Sequence, residues 1–200
     1  MKKIIMETLV LAALATGQAY LQPVHAAPIS LDRTTVTATY QGSADGILGL
    51  DHGFQAEPGS NVSKVYAPGA GVEFLTADYL FGFDFAADGL LTVYNNMPLP
   101  ERAAGDPGYT FSFDFGATLP APVGSFTLVD GSMVNGAPGL SVVDGHTLAL
   151  DLSKVTWNGD FASFTAQIGT GAGDVPEPAS LALLLLGAAG LAAASKRRTR

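Results

Sequence analysis

One five-residue string, Phe-x-Phe-Asp-Phe, occurs twice, at Phe81 to Phe85 and at Phe111 to Phe115. In each copy the three rings fall on alternate positions. An extended segment would carry them all on one face, whereas a helix would scatter them around its circumference. Each copy is therefore expected to be a strand with a buried aromatic face, and the shared string marks the two as equivalent strands. Gly82 and Asp84 lie opposite the first set of rings, Ser112 and Asp114 opposite the second. After the first copy, Ala86-Ala87-Asp88-Gly89 supplies a turn into the run Leu90 to Tyr94, which predicts a hairpin.

Further strands are readable at Thr34 to Tyr40, Val72 to Leu75, Phe126 to Val129, Leu140 to Val143, Thr147 to Leu152 and Phe161 to Ile168, parted by Gly, Pro, Asp and Asn clusters. Asp144-Gly145, between two of them, is a strong hairpin signal. Gln41 to Pro68 reads as loops around one or two short strands, and Met97 to Pro107 as a second long loop. No stretch between the two ends of the chain keeps a helical period for three turns, and 24 glycines and 12 prolines make turns frequent. Short strands at roughly ten-residue spacing predict an all-β fold, an antiparallel β-sandwich of jelly-roll-like form. It is expected over residues 27–168, with Gly169 to Val175 as a small-residue linker.

Composition excludes several chemistries. There is no cysteine, so disulfides, thiolate metal sites and thiol nucleophiles are ruled out. Between Ala27 and Asp174 stand sixteen acids and four bases, a balance of −12. That repels nucleic acid and leaves divalent cations, basic partners and neutral glycans. His52 and His146 are the only histidines in this stretch, too few for a histidine-rich metal centre, and no Gly-x-Ser-x-Gly, His-Glu-x-x-His or phosphate-loop string occurs. No cofactor is called for. Ca²⁺ is the ligand that the acids suit best, because a hard cation takes several oxygens. Asp84, Asp88, Asp114, Asp130, Asp144 and Asp151 are the candidates, with Asp84, Asp114 and Asp144 foremost. Trp157, at a strand end with Asn158 and Asp160 beside it, is the candidate platform for stacking a sugar face. Asn61-Val62-Ser63 fits an N-glycosylation acceptor. A hydrolase of glycoside-hydrolase type needs nothing but a pair of carboxylates, so it survives as an alternative with no catalytic residue singled out.

The two ends carry addresses. Met1-Lys2-Lys3 precedes an apolar stretch from Ile4 to Thr16 interrupted only by Glu7, and small residues follow at Ala26 and Ala27. This is the layout of a secretory signal peptide, expected over residues 1–26, taken up by the general secretion machinery and removed by signal peptidase between Ala26 and Ala27. Near the other end, Ala179 to Ala194 is sixteen residues without a charge, its leucines spread around the whole circumference of a helix. At ~1.5 Å per residue it covers roughly 24 Å against a hydrocarbon core of about 30 Å, a marginal transmembrane helix. Lys196, Arg197, Arg198 and Arg200 then hold that end in the cytoplasm.

Val175-Pro176-Glu177-Pro178, the Leu-rich run with Gly187 and Gly190, and the basic terminus together resemble a PEP-CTERM sorting signal. The resemblance covers Val175 to Arg200. It implies that Pro176, Glu177 and Pro178 are recognised by exosortase, a membrane-embedded cysteine protease-transpeptidase. It implies that residues 179–194 park the exported protein transiently in the inner membrane and that residues 195–200 retain the tail. A Gram-negative host that makes exopolysaccharide, and a mature protein at the cell surface or in the biofilm matrix, are further implications. The prolines hold the backbone extended and withhold two amide donors, which suits a segment offered to a protease cleft. The expectation is a non-enzymatic surface or extracellular-matrix protein associated with exopolysaccharide. The alternatives are a glycan- or Ca²⁺-binding β-sandwich module and the carboxylate hydrolase.

Overall fold

Alternating aromatic and β-branched residues set the strands, because such side chains pack well on a pleated, half-buried surface. The computed structural model describes residues 26–66, 71–99 and 108–171. Along them run β1 (Thr35–Tyr40), β2 (Ile47–Gly49), β3 (Val62–Lys64), β4 (Phe74–Thr76), β5 (Phe81–Phe85), β6 (Leu90–Asn95) and β7 (Thr110–Asp114). They are followed by β8 (Val123–Asp130), β9 (Val134–Asn135), β10 (Gly139–Val142), β11 (Thr147–Asp151), β12 (Thr156–Trp157) and β13 (Ser163–Thr170). The pairings among these strands are antiparallel. One sheet has the order β10-β11-β7-β1-β3, a second has the order β2-β4-β5-β6-β13-β8, and β9 and β12 form a separate ribbon.

The repeated string builds the core. β5 belongs to the six-stranded sheet and β7 to the five-stranded sheet, and their rings meet across the interior. The Phe83 centroid lies 4.8 Å from Phe111 and 5.2 Å from Phe113, and Phe85 lies 5.1 Å from Phe113 and 5.9 Å from Phe115. Most of these pairs meet edge to face, the arrangement that brings the positive edge of one ring to the negative face of the next. All six rings are buried. The two copies thus stand opposite each other in different sheets, and their contact is what packs the sheets face to face.

Most expected strands appear within two residues of their expected ends, and β2 and β3 are the two short strands inside the long Gly- and Ser-rich stretch. Three differences have physical causes. The strand expected from Phe161 begins at Ser163, because Phe161 takes a left-handed φ of 58° and leaves its ring 70% exposed. The linker expected from Gly169 begins later: Gly169 pairs with Ser125 and Pro28, and the Thr170 N–H donates to the Ala27 carbonyl at 2.8 Å. Gly169 is small there for packing, since a Cβ on it would lie 2.4 Å from Ser125 Oγ. The β9–β12 ribbon, two residues on each side, is too short for alternation to mark it; Asn135 Nδ2 donates to Asn158 Oδ1 and the Asn158 N–H to the Met133 carbonyl. Among the described residues no helix is long and apolar enough to cross a membrane. The expected span 179–194, and the expected signal peptide apart from Ala26, lie outside the described residues.

Candidate functional site

Glu73 was not among the residues singled out by sequence, and it has the most altered environment of the described acids. It stands one residue before β4, is 1% exposed, and its Oε2 accepts the Phe85 N–H at 2.6 Å. Its own N–H donates to the Phe83 carbonyl and its carbonyl accepts the Leu50 N–H. Burial pushes the Glu73 carboxyl up to about 7; the Phe85 amide opposes the rise, while the charges of Asp84 and Asp51 add to it. Asp84, half-buried on β5, is also raised by burial. Asp51 accepts the Lys64 N–H at 3.1 Å and the Tyr66 hydroxyl at 2.7 Å, and that bond holds the Tyr66 phenol above its ordinary value. A carboxyl poised near neutrality suits proton transfer. Glu73, however, is closed from solvent and committed to a backbone amide, so it fastens the start of β4 to the end of β5. The signal that could have found it is a lone acid inside the apolar run Val72-Glu73-Phe74-Leu75.

The three foremost metal candidates do not converge. Asp84 and Asp114 alternate with buried rings on different sheets, so they point out of opposite faces of the domain. Asp114 and Asp144 share His146: Nδ1 lies 2.9 Å from Asp114 Oδ1 and 3.4 Å from Asp144 Oδ1. Among the described residues no group of three or more His, Cys, Asp or Glu side chains is disposed to hold a metal ion. The aspartates have another occupation. Asp88, Asp114, Asp130, Asp144 and Asp151 each accept the N–H two residues on, from Leu90, Gly116, Ser132, His146 and Ser153. That is the Asx-turn by which a short acid closes a tight bend. For Asp130 and Asp144 these amides hold the carboxyl below its ordinary value.

Trp157 is half-buried and turned inward, its ring centroid 6.0 Å from Phe81 and 5.9 Å from Phe164, with Nε1 buried and unpartnered among the described residues. The ring packs against the core through Phe81 and Phe164 and keeps partial exposure. An open groove of about 220 Å³ lies along β7, β10 and β11, lined by Thr110, Gly139, Ser141, Ala149 and Asp151 among others, without Trp157. The glycosylation acceptor is closed as well: Asn61 Nδ2 donates to the Ala38 carbonyl at 3.0 Å and Ser63 is fully buried.

Ala26 and Ala27, flanking the expected signal cleavage, are exposed beside the end of β13. Val175, Pro176, Glu177 and Pro178, with Lys196, Arg197, Arg198 and Arg200, lie outside the described residues. Residues 174–198 match the PEP-CTERM protein-sorting motif, taking in the Pro-Glu-Pro element, the apolar run and the first three cations. Such a motif indicates an exported protein sorted by exosortase by way of the membrane. No curated protein and no solved structure matches the chain.

Proposed function

From that sorting motif as premise, we propose that the chain is a non-enzymatic cell-surface or biofilm-matrix protein presenting an acidic, jelly-roll-like β-sandwich to exopolysaccharide. The observation that carries this reading is the motif match at residues 174–198. In this reading signal peptidase cuts between Ala26 and Ala27, residues 179–194 hold the protein briefly in the inner membrane, and exosortase acts at Pro176-Glu177-Pro178. The jelly-roll-like description draws on the repeated passage of the chain between the two sheets.

Two structural observations support a presenting rather than a converting role. The outward face of the six-stranded sheet carries a polar row set in register: Asp84, Thr92, Thr165 and Asp130 stand side by side across four adjacent strands. Glu73, the carboxyl whose affinity for a proton would suit hydrolysis, is buried just before β4 and bonded to the Phe85 N–H. No cofactor enters this reading, and the turn aspartates act on their own backbone.

Mass spectrometry of the protein recovered from the surface fraction tests the proposal. The expected product starts at Ala27 and lacks Ala179 to Arg200; an intact tail in that fraction overturns it. Thermal unfolding in excess Ca²⁺ and in chelator should give coincident curves, and a higher Tm with Ca²⁺ would restore the cation-binding alternative.

A further inference from the structure

Ala27 to Leu31, the first residues after the expected signal cleavage, are built into the far end of the chain. β13 is flanked by β8 on one side and by β6 on the other, but β6 begins at Leu90, opposite Gln167. Beyond Gln167 its place is taken by the N-terminal segment. The Ile29 N–H donates to the Ile168 carbonyl at 3.2 Å, Pro28 bridges to Gly169, and the Thr170 N–H donates to the Ala27 carbonyl at 2.8 Å. The Thr170 hydroxyl reaches the same oxygen at 3.3 Å. Leu31 donates its N–H to the Ala87 carbonyl in the β5–β6 turn, and the Ile29 and Leu31 side chains are buried in the core. Gly89 makes the junction passable: at its φ of +83° a Cβ would lie 2.7 Å from the Ile29 carbonyl oxygen and 2.8 Å from that of Ile168.

We propose that Ala27–Leu31 is a clasp that fixes the point from which the sorting neck leaves, so that processing of the tail is confined to residues beyond Gly171. This rests on the sorting reading, since a neck without a processing partner needs no fixed exit. The clasp joins residues 143 apart in sequence, so it closes only after the last strand has been made and exported. A protease that draws its substrate out as a single extended strand must first strip it from its neighbours. β13 up to Thr170 is paired with β8 on one side and with β6 and then the clasp on the other. Only Ala172 to Val175 separate Gly171 from Pro176, a stretch that spans at most roughly 17 Å when extended. The trimming partner therefore works close to the clasped end, where an unclasped strand would be the nearest alternative substrate.

Hydrogen–deuterium exchange and end-group mass spectrometry of the exported protein test this with two variants. Ile29→Ala withdraws buried apolar surface from the clasp, and Gly169→Ala, without removing any core atom, places a methyl 3.1 Å from the Ala27 oxygen and 2.4 Å from Ser125 Oγ of β8, so that Ser125→Ala is added to it to relieve the β8 side. The Leu31 and Thr170 amides should exchange about tenfold faster or more in each variant, as for a locally opened segment, while β5 and β6 keep wild-type protection. The variants should also acquire C-terminal ends upstream of Gly171, whereas wild-type ends all lie beyond it. Unchanged exchange at Thr170, faster exchange with unchanged ends, or wild-type ends upstream of Gly171 would each overturn the clasp. If Ile29→Ala loses protection throughout, Gly169→Ala with Ser125→Ala decides. A wild-type tail that is never trimmed sinks the sorting reading instead, and leaves the exchange result standing.

Discussion

The two copies of Phe-x-Phe-Asp-Phe face each other with like rings, yet their aspartates lead different lives. Asp84 is half-buried, sits beside Thr92 in the row and near Glu73, and is raised by desolvation. Asp114 is about half exposed, accepts the Gly116 N–H at 2.7 Å and meets His146 at 2.9 Å. The ring positions follow from period two alone, so both strands bury them alike. The polar position takes whatever the neighbouring strand brings. At β5 the neighbour is β4, whose approach delivers an acid; at β7 it is β11, whose approach delivers an imidazole. A repeated string therefore carries its packing with it and leaves its electrostatics to the register.

The largest expected effect breaks the likeness of the rings. Phe83→Ala and Phe113→Ala should each destabilise by roughly 3–5 kcal/mol in urea unfolding. Their centroids are 5.2 Å apart, so the double variant should lose less than the sum. Strict additivity would mean that the copies do not share a core contact.

Next comes Glu73. Its folded pKa of about 7 stands above the ordinary 4.5, so the folded state holds the proton more tightly. The resulting stability is present in full below pH 4.5 and is lost as pH rises through 7. Glu73→Gln keeps an oxygen for the Phe85 N–H and removes the titration. It should flatten the stability profile between those limits and exceed wild type by on the order of 2 kcal/mol above neutrality. A variant with the wild-type slope would assign the pH dependence elsewhere. The smallest effects separate the two aspartates. Asp84→Asn should lower the Glu73 titration midpoint followed by carboxyl NMR, because the Asp84 charge raises it, while Asp114→Asn should leave that midpoint in place. Both should change stability by less than about 1 kcal/mol. Equal shifts from the two would erase the distinction.

Much of the domain was legible because alternation survives whatever the strand packs against. Phe81, Phe83, Phe85, Phe111, Phe113 and Phe115 are all buried, and Asp144-Gly145 turns between β10 and β11. The site was less legible. Trp157 stands at a strand end as expected, but which side of a ring faces the core depends on Phe81 and Phe164, far away in sequence. Asp84 and Asp114 share a string and lie on opposite faces, which no spacing reveals. Gly169 and Thr170 have linker composition and are strand because Ala27 and Ser125 pair with that end of β13.

By itself the sequence determined the sorting address and the faces of the strands, since a run of uncharged residues, a pair of prolines and a period of two act locally and need no partner. Only the tertiary structure decided that β5 meets β7, that Glu73 is sealed against Phe85, and that the two ends of the exported domain leave from one place. Each of those depends on contacts between residues distant along the chain, and it is packing, not local preference, that chooses among them.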